Sequence, residues 1–271
     1  VPELPEVETI VRDLARLLPG AEVRDVEVVH ADLVQGEGAA EFAAGLRGAR
    51  VREVTRRAKN ILLHLDRGLL VVNLGMTGRL LVRSPGDDAP THLGVRLRLA
   101  DGRELDYHDV RRFGCLQRYT GDEWERRDEA LGVEPLSDAF TAEWLLGAAK
   151  KSRVAVKTWL MDQRRVVGVG NIYASEALFR ARVDPRRPAS SLKKKEAARL
   201  VEATREVLRE AIDFRGTTFL DYRDASGERG EFAGRLRVYD RAGEPCRTCG
   251  RPLERIVQGG RSTFFCARCQ R

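Results

Sequence analysis

The stretch MDQRRVVGVGNIYASEALF, Met161–Phe179, changes character in its middle. Gly168 and Gly170 flank Val169 and let the backbone turn tightly just before helical spacing begins at Asn171. A helix N-terminus presents unpaired amide donors, and a phosphate is their natural partner. Asn171 can cap that helix or donate to the phosphate. An isolated G-x-G-N reads as an ordinary capped helix; the longer string VVGVGNIYASE is distinctive. Helical patterns surround it at Thr141–Ala149, Arg153–Leu160, Asn171–Ala181 and Leu192–Ile212. Lys193-Lys194-Lys195 reads as the solvated start of the last of these, with phosphate contact as the alternative. Gly216–Gly234, GTTFLDYRDASGERGEFAG, reads as a long mobile loop, either a lid or a connector.

Beyond that loop the chain ends in Cys246, Cys249, Cys266 and Cys269, spaced C-x2-C-x16-C-x2-C. Each C-x2-C pair can aim two thiolates at one tetrahedral ion, and the glycines between allow a hairpin. Two disulfides are the alternative. The acidic N-terminus lacks the basic-then-apolar order of a secretory leader, so a cytoplasmic, reducing setting and one structural Zn2+ are expected. Four protein ligands fill the ion's shell, so it would not be catalytic. Cys115 stands alone among apolar residues and reads as core.

Charge divides with the chain. Residues 1–135 hold 20 basic and 24 acidic side chains, a net of −4; residues 136–271 hold 28 and 17, a net of +11. A basic second half points to a polyanion partner. An apolar content of 42% excludes a disordered chain. No apolar run approaches the roughly 20 residues of a membrane-spanning helix.

The first half reads differently. Val7, Ile10, Val11, Leu14, Leu17 and Leu18 fall on one helical face, with Pro5 at the first helical position and Pro19-Gly20 as the stop. Strand patterns follow at Val23–Val29, Val51–Thr55, Asn60–Leu65, Leu69–Leu74, Arg79–Val82, Leu93–Leu99, Glu104–Tyr107 and Leu116–Tyr119. Short strands so closely spaced imply a sandwich or a barrel-like sandwich. The boundary between halves falls between Glu123 and Pro135.

PELPEVET at Pro2–Thr9, Arg57-Ala58-Lys59, NLGMTG at Asn73–Gly78, RRFG at Arg111–Gly114, VVGVGNIYASEALF and the four-cysteine finger occur here in one order. Over essentially its whole length the chain resembles the formamidopyrimidine-DNA glycosylase family of base-excision repair enzymes. The resemblance implies a multi-domain α+β protein: an N-terminal catalytic β-sandwich with an N-terminal helix (residues 1–125), a linker (126–135), a helix–two-turn–helix domain (136–235) and a zinc finger (236–271). Damaged double-stranded DNA would lie between the halves, bound by a monomer with no membrane association, working at the bacterial nucleoid.

The resemblance also assigns roles. Pro2 is the nucleophile, its terminal amine forming a Schiff base with the sugar. Glu3 protonates the ring oxygen, and Glu6 supports the tip. Lys59 contacts a phosphate and donates a proton in β-elimination; Arg261, on the finger hairpin, clamps phosphates and assists δ-elimination. Met76, Arg111 and Phe113 fill the gap left by the everted nucleotide, Arg111 bonding the orphaned cytosine. His92, Lys157 and Asn171 serve DNA binding. Read without the resemblance, Glu3, Lys59 and Arg261 would be surface charges, and Met76 and Phe113 would be core.

The sequence departs from the family pattern in three places. Val1 precedes Pro2, and an amide nitrogen is no nucleophile; Val1 is read as a GUG start codon written out, translated as a methionine that is removed. Val110 stands where proline commonly precedes RRFG. Ser152 replaces a usual lysine, with Lys151 and Arg153 flanking it. The substrates implied are 8-oxoguanine and formamidopyrimidines. The rival branch, endonuclease VIII-like and specific for oxidised pyrimidines, typically begins PEGPE. A non-catalytic lesion-binding paralogue and a zinc-finger regulator are the remaining alternatives.

Overall fold

The structure is a computed structural model that describes residues 2–84, 87, 91–217, 225 and 230–271. The start-codon reading of Val1 and most of the Gly216–Gly234 loop lie outside the described residues. The chain divides into two compact units, Val1–Glu129 with Phe214–Ala233, and Ala130–Asp213 with Gly234–Arg271.

The first unit opens with helix α1 (Leu4–Leu17). Its apolar stripe of Val7, Ile10, Val11 and Leu14 is buried, as the spacing predicts. Glu3 is the N-cap, which moves Pro5 to the second helical position, one later than expected. Then come β1 (Val23–Val28), β2 (Val34–Gln35), α2 (Ala39–Leu46), β3 (Val51–Arg57), β4 (Asn60–Leu65), β5 (Leu69–Asn73), β6 (Gly78–Arg83), β7 (Leu93–Leu99), β8 (Glu104–Asp109), β9 (Cys115–Tyr119) and α3 (Gly121–Asp128). They form two sheets, ordered β1-β7-β8-β6 and β2-β9-β5-β4-β3. Pairing is antiparallel except between β2 and β9.

One core joins the inner faces of both sheets to α1 and α2. It includes Ile61, Leu63, Leu70 and Val72, while Leu62, Leu69 and Val71 point the other way and meet Tyr119 and Trp124 of α3. Burial on both faces explains why β5 reads as a continuous apolar run. The short elements β2, α2 and α3 carry no signal strong enough to find: β2 has two residues, and α3 buries none of its side chains. The only cue for α3 is its capping box, in which Thr120 and Glu123 bond reciprocally. Cys115, expected in the core, is only half-buried, and that burial pushes its thiol up.

The outer face of the four-stranded sheet is charged. Asp106 is fully buried there and accepts two 2.8 Å bonds from Arg96. Burial alone would raise its carboxyl, but the hydrogen bonds and charges of Arg96 and His108 together outweigh it and hold the group at about 2.

The second unit holds α4 (Ala142–Ala149), α5 (Val156–Leu160), α6 (Asn171–Ala181), α7 (Lys194–Asp213) and a hairpin of β10 (Glu254–Gln258) and β11 (Arg261–Phe265). Helix α5 starts three residues later than the periodicity predicts. Ala155 bridges to Pro188, and the Val156 amide donates to the Arg187 carbonyl, so the helix begins only at Val156. Helix α7 starts two residues late because Leu192 closes the short helical turn Ala189–Ser191; the Lys193 amide then donates to Glu196. Among the described residues no helix is long and apolar enough to cross a membrane.

Replacing Asp106 by Asn is expected to cost the first unit about 2 kcal/mol near neutral pH. A depressed carboxyl stabilises above its unfolded value of about 4, and the gain fades as pH falls toward about 2. Urea unfolding of both proteins across that range should show a flattened acid limb in the variant.

Candidate active site and nucleic-acid interface

Pro2 and Glu3 form a buried tip at the start of α1. The tip is held by Glu6, itself 1% exposed. One Glu6 oxygen, Oε2, accepts the Glu3 amide at 2.8 Å. The other, Oε1, accepts the amide of Thr217 at 2.7 Å. Gly216 is needed for this: its φ is +82°, and a Cβ there would lie 2.9 Å from Glu6 Oε1. Arg215 adds a 2.6 Å ion pair to Asp13 on the same helix.

Lys59 lies in the turn between β3 and β4. Arg56 donates to Glu8 of α1 at 3.0 Å and to the Ala58 carbonyl at 2.9 Å. The helix that carries the tip therefore also braces the Lys59 turn. Next in register, Asn73 donates to Asn60 at 2.8 Å, and its Oδ1 accepts the Gly75 amide at 3.0 Å. This starts the turn that carries Met76, which is 37% exposed. Phe113 is 59% exposed, with the Arg111 guanidinium 4.5 Å from its ring centre. His92 is exposed, and its carbonyl accepts the Asp109 amide at 3.2 Å. Glu3, Lys59, Met76, Arg111, Phe113 and His92 thus belong to one unit, and β-register puts the last five at turns along one end of its sheets.

In the second unit Lys157 is 1% exposed, and its ammonium donates to Asn171 Oδ1 at 2.5 Å, Thr263 Oγ1 at 2.8 Å and the Ser262 carbonyl at 3.0 Å. Three acceptors satisfy a buried charge. An ammonium has no acceptor, so Asn171 must turn its oxygen to Lys157, and its amide nitrogen donates to the Tyr239 hydroxyl at 3.5 Å. Gly170, not Asn171, is the N-cap of α6. Gln163 fastens the loop before it, accepting from the Gly168 amide and donating to the Val169 carbonyl. Arg261 is exposed beside the Gly259-Gly260 turn. Lys157, Arg164, Arg165 and Arg261 line a cavity of about 390 Å³ in this unit. Ser152 lies 3.5 Å from an Arg165 nitrogen.

The finger cysteines bring four Sγ atoms within 4.8 Å of one another, Cys249 to Cys266 at 3.5 Å and Cys246 to Cys269 at 3.9 Å. Zinc–sulfur bonds of about 2.3 Å in a tetrahedron need sulfurs about 3.8 Å apart. Without a cation the thiols cannot all ionise. A backbone amide from Arg251 draws Cys249 down to about 7, while burial pushes Cys269 up to about 12. A divalent ion resolves this conflict, so the donor set fits one structural zinc. Gln270 locks the second knuckle, accepting the Cys266 amide and donating to the Val183 carbonyl.

The sequence reading missed several residues. Glu8, Arg56, Asn60 and Asp109 look like surface polar groups until strand register brings their partners in. Glu176, fully buried, accepts the amides of Arg237, Val238 and Tyr239, and pins the approach to the finger.

A β-sandwich bearing an acid-held proline tip, and a helical unit ending in a zinc finger, define the two-unit DNA glycosylases. The chain belongs to the formamidopyrimidine-DNA glycosylase family. Its N-terminal domain model matches residues 1–116, its H2TH domain model residues 131–222, and the zinc finger found in FPG and IleRS residues 243–271. The formamidopyrimidine-DNA glycosylases of Methylococcus capsulatus and Marinobacter nauticus are 45% and 42% identical, with both chains fully covered. The Thermus thermophilus MutM (Fpg) crystal structure is 44% identical, with a TM-score of 0.89 over 99% of this chain and 98% of that one. A Lactococcus lactis Fpg complex with abasic-site DNA is 29% identical, with a TM-score of 0.92 over 99% of both chains. A complex of a mutant of that protein with Fapy-dG DNA scores 0.93, also at 29% identity and 99% of both.

The purified protein should carry one zinc per chain. Cys266→Ser should lose the metal and DNA affinity together, as metal analysis and a binding titration would show.

Proposed function

We propose that this chain is a bifunctional DNA glycosylase and abasic-site lyase, which excises oxidised purines such as 8-oxoguanine and formamidopyrimidines from duplex DNA. The observation that carries this reading is full-length likeness to proteins solved with Fapy-dG and abasic-site DNA. The buried Pro2-Glu3 tip and the basic second unit support it.

The reaction follows from the groups at the tip. The Pro2 nitrogen, once a free secondary amine, attacks the anomeric carbon; the glycosidic bond breaks, and the base leaves with its electron pair. Glu3 gives a proton to the ring oxygen, the sugar opens, and an iminium remains. That electron sink makes the neighbouring C–H acidic. Its loss expels the 3′ phosphate, with Lys59 as proton donor; a second elimination, assisted by Arg261, expels the 5′ phosphate. A one-nucleotide gap results.

Met76, Arg111 and Phe113 occupy the space of the everted nucleotide, and Arg111 meets the orphaned cytosine. Asn171 and His92 serve the phosphate backbone, buried Lys157 supports that site through Asn171, and Glu6 keeps the tip in place. Zinc, held by the four cysteines, fixes the hairpin that presents Arg261. The working modules are residues 1–125, a linker 126–135, residues 136–235 and the finger 236–271. The protein acts as a monomer on the chromosome of a bacterial cytoplasm.

Val1 favours one second reading. If it is retained, Pro2 is an amide and the chain is a lesion-binding paralogue without activity; intact mass distinguishes the two. Borohydride should trap the mature protein on an 8-oxoguanine:cytosine duplex more readily than on a thymine-glycol duplex. Pro2→Gly and Glu3→Gln should each lower trapping at least about 100-fold. No trapping on either duplex would end the enzymatic reading, and a preference for thymine glycol would move the chain to the pyrimidine branch.

A further inference from the structure

The Met76 turn and the Arg111–Gly114 loop are separate in sequence but share one buried anchor. Asp109, 2% exposed at the end of β8, meets four donors. Its Oδ1 accepts the Thr77 hydroxyl at 2.5 Å and the Arg111 amide at 3.2 Å. Its Oδ2 accepts the Gly114 amide at 2.8 Å and lies 3.3 Å from the Tyr107 hydroxyl, itself 3.2 Å from the Asn73 carbonyl. Burial and the neighbouring carboxylate push the Tyr107 phenol up, so it stays a donor. The Arg111 amide also reaches Thr77 Oγ1 at 3.1 Å. The two segments touch as well: a Cβ on Gly75 would lie 2.4 Å from the Gly114 nitrogen and 2.5 Å from the Phe113 carbonyl carbon.

We propose that Asp109 is a positioning residue for gap filling: its carboxylate locks the Met76 turn to the Arg111–Phe113 loop, so that the three side chains enter DNA as one preformed wedge. The loop supplies little rigidity of its own. Val110 is 56% exposed, and Arg112 stands at φ +54°, a left-handed conformation that a non-glycine residue holds only under constraint. The donors that meet Asp109 are two backbone amides and two hydroxyls. Asn in its place offers an NH2 where an acceptor is needed, and one pair of donors is left facing a donor.

The inference rests on the gap-filling reading of Met76, Arg111 and Phe113, so the test separates the two. Amide exchange in the free protein reads the lock, and reaction on DNA reads its use. In Asp109→Asn, the Arg111 and Gly114 amides should exchange about tenfold faster, with β7 and the finger unchanged. Excision from an 8-oxoguanine:cytosine duplex should fall about tenfold in kcat, and the preference for cytosine over adenine opposite the lesion should shrink. Trapping on single-stranded abasic DNA, which has no gap to fill, should stay within about twofold. Thr77→Val should show the same pattern more weakly, and Thr77→Ser should restore it. Unchanged exchange in Asp109→Asn overturns the lock. Faster exchange with duplex excision and base preference intact overturns its role in the reaction. A Met76/Arg111/Phe113 triple-alanine variant with normal duplex excision overturns the gap-filling reading beneath it, whatever the exchange rates show.

Discussion

The Glu6 carboxylate joins the chain to a segment 211 positions further on: one oxygen holds the amide of Glu3, the other that of Thr217. The tip depends on it. A chain end is ordinarily the least ordered part of a fold, yet Pro2 is buried and Glu3 is 3% exposed. The same helix braces the Lys59 turn through Glu8 and Arg56, and Asn60 hands that brace on to Asn73 and the Met76 turn. The Pro2-Glu3 tip is thus fixed by a carboxylate rather than by packing alone.

Asp109 and Glu176 repeat the device. Each is a buried acid whose partners are backbone amides or hydroxyls, reached across segments by Asp109 at Thr77 and by Glu176 at residues 237–239. A carboxylate satisfied by fixed amides is strongly directional, whereas an ion pair with a long arginine tolerates more play. The sheet face around Asp106 uses arginines and is structural; the three amide-holding acids lie where segments that meet DNA in the proposed reaction must be fixed. Lys157 is the counterpart with the opposite sign, a buried cation binding three oxygens of the helix start and the finger hairpin.

The α1 stripe, eight of the strands and the finger were legible because each rests on a repeating or spaced pattern. Elements without a pattern were not: α3 buries no side chain fully and Trp124 only in part, and β2 is two residues long. Helix α5 was read too long because apolar spacing cannot register the bridge between Ala155 and Pro188. Of the site residues, only the cysteines could be assigned from spacing. Pro2, Glu3 and Lys59 needed the family resemblance, since nothing local separates them from ordinary surface residues. Of the buried acids that organise them, Glu6 came from the same resemblance; Asp109 and Glu176 were invisible, because Thr77 and the amides of residues 237–239 arrive from elsewhere in the chain.

The first unit is discontinuous: it takes Phe214–Ala233 from beyond the whole run Ala130–Asp213. During synthesis the sandwich strands emerge early, but the second amide that Glu6 requires is made 211 residues after it. The nascent chain therefore carries its proline on an incompletely tethered tip until most of the helical unit has left the ribosome. The Glu6–Thr217 link closes only after the segment around Thr217 has been made, so the order of synthesis delays the ordering of the Pro2-Glu3 tip.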